Sequence, residues 1–279
     1  MRRIFYRLSL LLLVGCSAQE PGADEVKLVL EGWINSGGCP VVVFSRAINP
    51  GEGGTFENVP VQWGRVTISD GEDTVVLTGG PDRNFFPPYK YYTYGMDGVP
   101  GRTYTISGDD GRGNTISATC RMPEPTPIDS VTFEDIDNDS LIAATAHFTA
   151  PAIMPDGAEY YMLTMTPEGR NQRPLPTLFG TIEAKSAGAH MSIPIYHPKH
   201  NFGGDYMYVP QLYKGERVTL TLCHITREVY DFYRAYDNMI AFGSSQFLGS
   251  SGSLPGNTSS GIGVWSAQGA STIRFTAPK

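Results

Sequence analysis

The chain has 279 residues, with 28 acidic and 21 basic side chains and a formal net charge of −7 at pH 7 when the histidines are neutral. That length is ample for a buried core and fits one or two domains, while the acidic balance and the lack of a Lys/Arg-rich run speak against nucleic acid as a partner. Abundant Gly, Pro and Tyr, with a single long helical pattern, point to β structure with many turns.

Arg2, Arg3 and Arg7 flank an apolar run through Leu8 to Val14 that closes on Leu13-Val14-Gly15-Cys16. The run is too short for a bilayer span, which needs roughly 20 apolar residues, and fits a secretory leader. Leucine three places before the cysteine and glycine directly before it form a lipobox pattern. Residues 1–15 are therefore expected to be a lipoprotein signal peptide and Cys16 the acylated N-terminus. Cleavage removes three arginines and no acid, taking the formal charge from −7 to −10. An acidic body is repelled by an anionic membrane, so acyl chains must hold it, at about 0.8 kcal/mol per buried CH₂. Residues 16–25, broken by Pro21-Gly22, read as the lipidated cysteine and a flexible tether, which keeps the body within roughly 30 Å of the bilayer even if extended.

Period-two patterns begin at Val26, Leu28 and Leu30, and Asn35-Ser36-Gly37-Gly38 turns the chain into Pro40–Ser45. Further strands are expected over Gln62–Ser69, with Val66 and Ile68 on one face, Thr74–Thr78, and Arg102–Ser107 through Tyr104 and Ile106. Asp109-Asp110-Gly111 marks a hairpin into Asn114–Cys120, where Ile116, Ala118 and Cys120 share a face. Short strands with frequent turns over residues 26–121 predict an immunoglobulin-like or fibronectin-like β-sandwich. The Pro-rich stretch 122–130 reads as a stiff linker. Residues 131–279 are expected to form a second β-rich, sandwich-like domain, with strands near Asp129–Phe133, Leu141–Thr149, Glu159–Thr166, Thr177–Ala184, His190–Ile195, Arg217–Cys223 and Thr272–Thr276. One amphipathic helix is predicted near 227–242: Thr226 caps it, Glu228 and Asp231 suit its positive start, and Gly243 stops it. Val229, Phe232, Tyr233, Tyr236, Met239 and Ile240 form its apolar stripe.

The fold class is thus mainly β, and these residues resemble a known family. Val29-Leu30-Glu31-Gly32-Trp33-Ile34 after a lipobox is similar to the opening of the domain-of-unknown-function 4249 (DUF4249) lipoproteins. So are the Pro-rich junction entering Ile128-Asp129-Ser130-Val131, the helix bearing Val229-Tyr230-Asp231-Phe232-Tyr233, and the ending Asn257-x-x-x-Gly261-x-Gly263-x-Trp265. The resemblance implies an outer-membrane lipoprotein of the Bacteroidota, cell-surface exposed and assisting a TonB-dependent transporter in nutrient uptake. It carries over no catalytic residue and no ligand site.

Candidate chemistry in the residues themselves is thin. Phe85 to Tyr94 gathers aromatic rings with polar tips, and Tyr89, Tyr91, Tyr92 and Tyr94 are the candidate residues for binding a small ligand, glycan, peptide or partner. The competing expectation is a strand with core rings, Tyr92 and Tyr94 inward and Tyr91 outward. His190, His197 and His200 with Asp205 offer metal-ligating atoms, but no helical His pair, so no metal and no cofactor is expected. Asp135-Ile136-Asp137-Asn138-Asp139 resembles the start of a calcium loop, yet Ser140 and Ala146 stand where glycine and glutamate are needed, so a solvated turn is expected. Gly249-Ser250-Ser251-Gly252-Ser253 lacks nucleophile-elbow spacing, and Gly261-x-Gly263 lacks the rest of a dinucleotide fingerprint. No enzyme is expected; the alternatives are a surface hydrolase acting on glycan or peptide, and a structural or adhesive lipoprotein. If a disulfide forms, Cys39 and Cys120 are the pair available in the first domain, with Cys223 left over.

Overall fold

Alternating apolar residues pass through nearly the whole body, and each alternation becomes a strand with one buried face. The computed structural model describes residues 27–48, 57–151, 157–168, 173–198, 210–242 and 254–279; the expected leader, Cys16 and the expected tether lie outside them. In chain order the first strands are β1 (Lys27–Asn35), β2 (Val41–Ile48), β3 (Glu57–Pro60), β4 (Arg65–Ser69), β5 (Thr74–Val76), β6 (Thr78–Pro81), β7 (Tyr89–Tyr92), β8 (Thr103–Asp109) and β9 (Thr115–Arg121). After the connector come β10 (Ser130–Asp135), β11 (Leu141–Thr149), β12 (Glu159–Pro167), β13 (Leu175–Ala184), β14 (His190–Pro194), β15 (Leu212–Tyr213) and β16 (Arg217–Ile225). The helix α1 (Arg227–Phe242) and the long strand β17 (Ile262–Thr276) complete the fold.

The architecture is mainly β, as expected. One nine-stranded sheet, β13-β12-β16-β17-β1-β2-β7-β6 with β3 beside β2, runs through both halves of the chain. A β5-β4-β8-β9 sheet covers one half of it, and a sheet of β10, β11, β14 and β15 covers the other. Two cores result. The first buries Leu30, Ile34, Phe44, Val66, Ile68, Tyr104, Ile106, Ile116 and Trp265; the second buries Phe148, Tyr161, Leu163, Leu220 and Leu222. Each fully buried Leu, Ile or Phe contributes roughly 1.5–3 kcal/mol relative to exposure.

β17 joins the two halves. Its first part, Ile262 to Gln268, pairs parallel with β1; its second, Gly269 to Thr276, pairs antiparallel with β16. The expected terminal strand at Thr272–Thr276 is therefore only the far end of a fifteen-residue strand, and part of the segment 131–279 completes the first sandwich. Glycines permit the approach. A Cβ on Gly263 (φ 141°) would stand 1.8 Å from the Leu30 carbonyl oxygen, and one on Gly269 would stand 2.5 Å from that of Pro123. Trp265 turns inward, and its indole N–H donates to the Tyr104 carbonyl at 3.1 Å.

The connector is bound down where the halves meet. Nδ1–H of buried His224 donates to the Glu124 carbonyl at 2.7 Å, and Nε2 lies 2.7 Å from a Glu159 carboxylate oxygen. The imidazole stacks on Tyr161 at 4.7 Å, and Tyr161 in turn meets the hydroxyl of buried Thr126.

All three described cysteines are free. The Cys39–Cys120 pair is not formed: Cys39 Sγ faces Asp97 at 3.5 Å, whereas Cys120 points into the first core and lies 3.9 Å from the Ala267 carbonyl.

Candidate functional site

β1 alternates, so Leu28, Leu30, Gly32 and Ile34 face the first core while Val29, Glu31, Trp33 and Asn35 form the opposite face of the sheet. α1 packs against that opposite face. Val229, Tyr230 and Tyr233, at helical spacing, are buried with Met162, Cys223 and Ile225, and the Tyr230 N–H donates to the Thr226 carbonyl at 3.0 Å. One turn further on, Tyr236 and Asp237 face β13 rather than a filled core.

A cavity of about 300 Å³ lies between these elements. Val29, Leu175, Leu178, Phe232 and Ile262 supply apolar wall; Glu31, Arg173, Tyr233, Tyr236 and Asp237 supply polar atoms. Apolar walls with a few convergent polar groups are the usual composition of a small-molecule site. Burial pushes the Asp237 carboxyl up to about 7, although the Phe179 backbone N–H bonded to it works in the opposite direction. Phe179 has φ 54°, uncommon for a bulky residue, so this carboxyl braces an unusual backbone turn in the cavity wall. Burial likewise raises the Tyr233 and Tyr236 hydroxyls, with a further push from Glu31.

Glu31 is engaged by Arg173 at 3.4 Å, and the guanidinium lies 5.5 Å from the Phe85 ring centroid. Phe85 stacks with Trp33 at 6.3 Å and has Lys90 on it at 5.2 Å. A second recess of about 20 Å³ shares Glu31, Arg173, Pro176 and Tyr233 with the cavity and is also lined by Asn35 and Gln268. Asn35 Oδ1 is buried without a hydrogen-bond partner. A recess of that size suits a single small donor such as water.

A family model described as a domain of unknown function, DUF4249, matches residues 17–274. The chain belongs to that family. No curated protein matches it.

In this DUF4249 chain the predicted tyrosines divide. β7 alternates in the phase opposite to the one expected for core rings: Tyr91 is inward and 2% exposed, with its hydroxyl donating to the Val61 carbonyl. A ligand does not reach it, because its ring fills the first core beside Phe44. Tyr89 is half-buried and donates to the Gln62 carbonyl at 3.2 Å. Tyr92 and Tyr94 face outward, edge to face at 5.6 Å, and Tyr94 is 82% exposed. None of the four lines the cavity.

The remaining candidates are dispersed. His190 bonds the Thr149 hydroxyl and His197 bonds Glu216; His200 and Asp205 lie outside the described residues, as do Cys16 and Gly249–Ser253. Among the described residues no group of three or more His, Cys, Asp and Glu is assembled to hold a metal, and no helix is long and apolar enough to cross a membrane. Asp135 to Ser140 forms the turn between β10 and β11, where Asn138 Oδ1 accepts the Ser140 N–H. Sequence reading missed Arg173 and Asp237. Asp237 did leave a signal, a carboxylate four residues after Tyr233 on the apolar stripe; Arg173 left none, because only the fold brings it to Glu31.

Proposed function

We propose that this chain is a lipid-anchored outer-membrane accessory protein that binds substrate, a TonB-dependent transporter, or both during nutrient uptake. The observation that carries the binding role is the cavity between α1, β13 and β1, with its apolar walls and its Glu31, Arg173, Tyr233, Tyr236 and Asp237 groups. The leader-like residues 1–15, with a lipobox closing on Cys16, support the anchor, and the resemblance to the DUF4249 lipoproteins supports a cell-surface place beside a transporter.

The ligand proposed is a small organic molecule, glycan or peptide fragment held without chemical change. The rival reading, a surface hydrolase, draws on Asp237, since a carboxyl that keeps its proton near neutral pH in a cavity suits a general acid. Two facts favour binding. The Asp237 carboxyl is engaged by the Phe179 amide, and Glu31 is engaged by Arg173.

The test is incubation of the mature body with defined mixtures of peptides and glycans, followed by mass spectrometry of what stays bound. Intact ligand retained by the native chain and lost in Leu178→Trp, which fills the cavity, is the expected result. Cleavage products that accumulate with time overturn the non-catalytic reading.

A further inference from the structure

The cavity between α1, β13 and β1 carries an imbalance of charge. Its described walls hold two carboxyls, Glu31 and Asp237, against one guanidinium, Arg173. Arg173 is already committed: it pairs with Glu31 at 3.4 Å, and its guanidinium lies 5.5 Å from the Phe85 ring centroid. Asp237 is only 7% exposed, yet among the described residues no cation pairs with it. The Phe179 amide supplies one hydrogen bond, whereas an ionised carboxylate has about four acceptor sites. A buried carboxylate without a counter-ion is costly, and it either keeps its proton or gains a cation.

Hydrogen-bonding capacity is unbalanced in the same sense. In the small recess that shares Glu31, Arg173, Pro176 and Tyr233 with the cavity, Asn35 Oδ1 is buried with no donor. The surplus in both spaces is therefore of acceptors, and a ligand that matches it brings donors. The Tyr236 hydroxyl feels Glu31, Arg173 and Asp237 together, so the charged groups converge on one part of the cavity.

The rest of the lining is aromatic or apolar. Phe232 and Tyr233 meet edge to face at 5.3 Å, and Tyr236 follows one turn on; the negative faces of such rings attract cations. Val29, Leu175, Leu178 and Ile262 offer surface to a hydrocarbon body, and about 300 Å³ restricts that body to a small one.

We infer that the cavity binds a small compound bearing a protonated amine on an apolar body, with the ammonium held by Asp237. The inference rests on the binding reading and narrows it to one chemical class. An anionic head would have to separate Arg173 from Glu31 and then face two carboxyls. A neutral hydroxyl would leave the Asp237 charge unbalanced.

The test is calorimetric titration of the mature chain with two sets of matched probes: phenethylamine, phenethyl alcohol and hydrocinnamate, then hexylamine, hexanol and heptanoate. At pH 8 each amine is expected to bind roughly tenfold more tightly than its alcohol, because a charge-assisted bond is the stronger one, and the acids not measurably. Asp237→Asn is expected to remove the amine's advantage and to keep the alcohol's affinity within about twofold, which also shows that the variant is folded. In the native chain amine affinity is expected to fall roughly tenfold from pH 8 to pH 5, as Asp237 takes up its proton. Glu31, Arg173, Tyr233 and Tyr236 are the other titratable groups lining this space, and a pH dependence that survives in Asp237→Asn belongs to them and contradicts the assignment. An alcohol or acid bound as tightly as its amine overturns the amine assignment while the binding role stands, and so does an amine advantage that persists in Asp237→Asn. Amine binding unchanged in Leu178→Trp lies outside the cavity and overturns it as well. A native chain that binds none of the six probes overturns the amine assignment, and the retained-ligand experiment then decides the binding role by itself.

Discussion

Asn257 grips the backbone of Trp265 with both ends of its amide: Nδ2–H donates to the Trp265 carbonyl at 2.7 Å, and Oδ1 accepts the Trp265 N–H at 2.9 Å. On its other edge this part of β17 is paired with β1. The side chain therefore substitutes for a missing neighbouring strand and closes an edge that would otherwise expose unpaired backbone groups. Asn257→Ala leaves two buried backbone groups without partners, at roughly 1–3 kcal/mol each. Urea unfolding is expected to show that loss, and Asn257→Asp, which keeps the acceptor but lacks the donor, to fall between the two. Equal midpoints for all three chains would remove the clasp from the account.

A pH dependence follows from Asp237. Its carboxyl is pushed up to about 7 in the folded chain from an ordinary value of 3.8. Between about pH 4 and 7 the folded state keeps a proton that the unfolded state has released. Stability contributed by this residue is therefore complete below about pH 4, falls as pH rises through 7, and is flat above. Asp237→Asn keeps the acceptor for the Phe179 N–H and carries no charge to bury. It is expected to equal the native chain at pH 4 and to exceed it by roughly 1–3 kcal/mol at pH 8, after discounting for the open cavity. A difference independent of pH would show that the charge is not the cause.

The thiols make a separable prediction in a Cys16→Ser chain. The Cys223 thiol is fully enclosed and pushed up to about 12 by burial, and burial raises Cys120 as well. Burial and the neighbouring Asp97 carboxylate raise Cys39, which is the one partly exposed thiol. Titration with an aromatic disulfide reagent is expected to find Cys39 alone, slowly, in the folded chain and all three after denaturation. Asp97→Asn should speed the first reaction. A single thiol after denaturation would mean that a disulfide exists.

For the aromatic strand, the two outcomes should be far apart. Tyr91→Ala empties part of the first core and is expected to destabilise by about 3–5 kcal/mol. Tyr94→Ala, on an exposed ring, should stay within about 0.5 kcal/mol. Similar losses at both positions would contradict the inward and outward assignment.

The contrast between these tyrosines shows how much was legible beforehand. Leu28 and Leu30, Val66 and Ile68, and Ile116, Ala118 and Cys120 each announced a buried face, because one-sided burial imposes period two. The helix at Arg227–Phe242 was legible in the same way. Tyr89 to Tyr94 was not, since aromatic residues occupy both faces of β7 and leave the phase open. The long strand β17 was hidden too. Gly261 and Gly263 look like turn residues, and only the nearness of the Leu28 and Leu30 carbonyls explains why a strand needs them. The cavity was less legible still, for Glu31, Arg173 and Asp237 lie far apart in the chain and meet only where β1, β13 and α1 converge.

Whether the chain is an anchored partner of a transporter is decided by affinity purification of the lipidated protein, tagged after Lys279, from native outer membrane in mild detergent. A TonB-dependent transporter barrel is expected to be retained in near-equal amount, and Cys16 to carry acyl chains. A chain recovered without acyl groups, or acylated and alone under conditions that keep other membrane complexes intact, would contradict it.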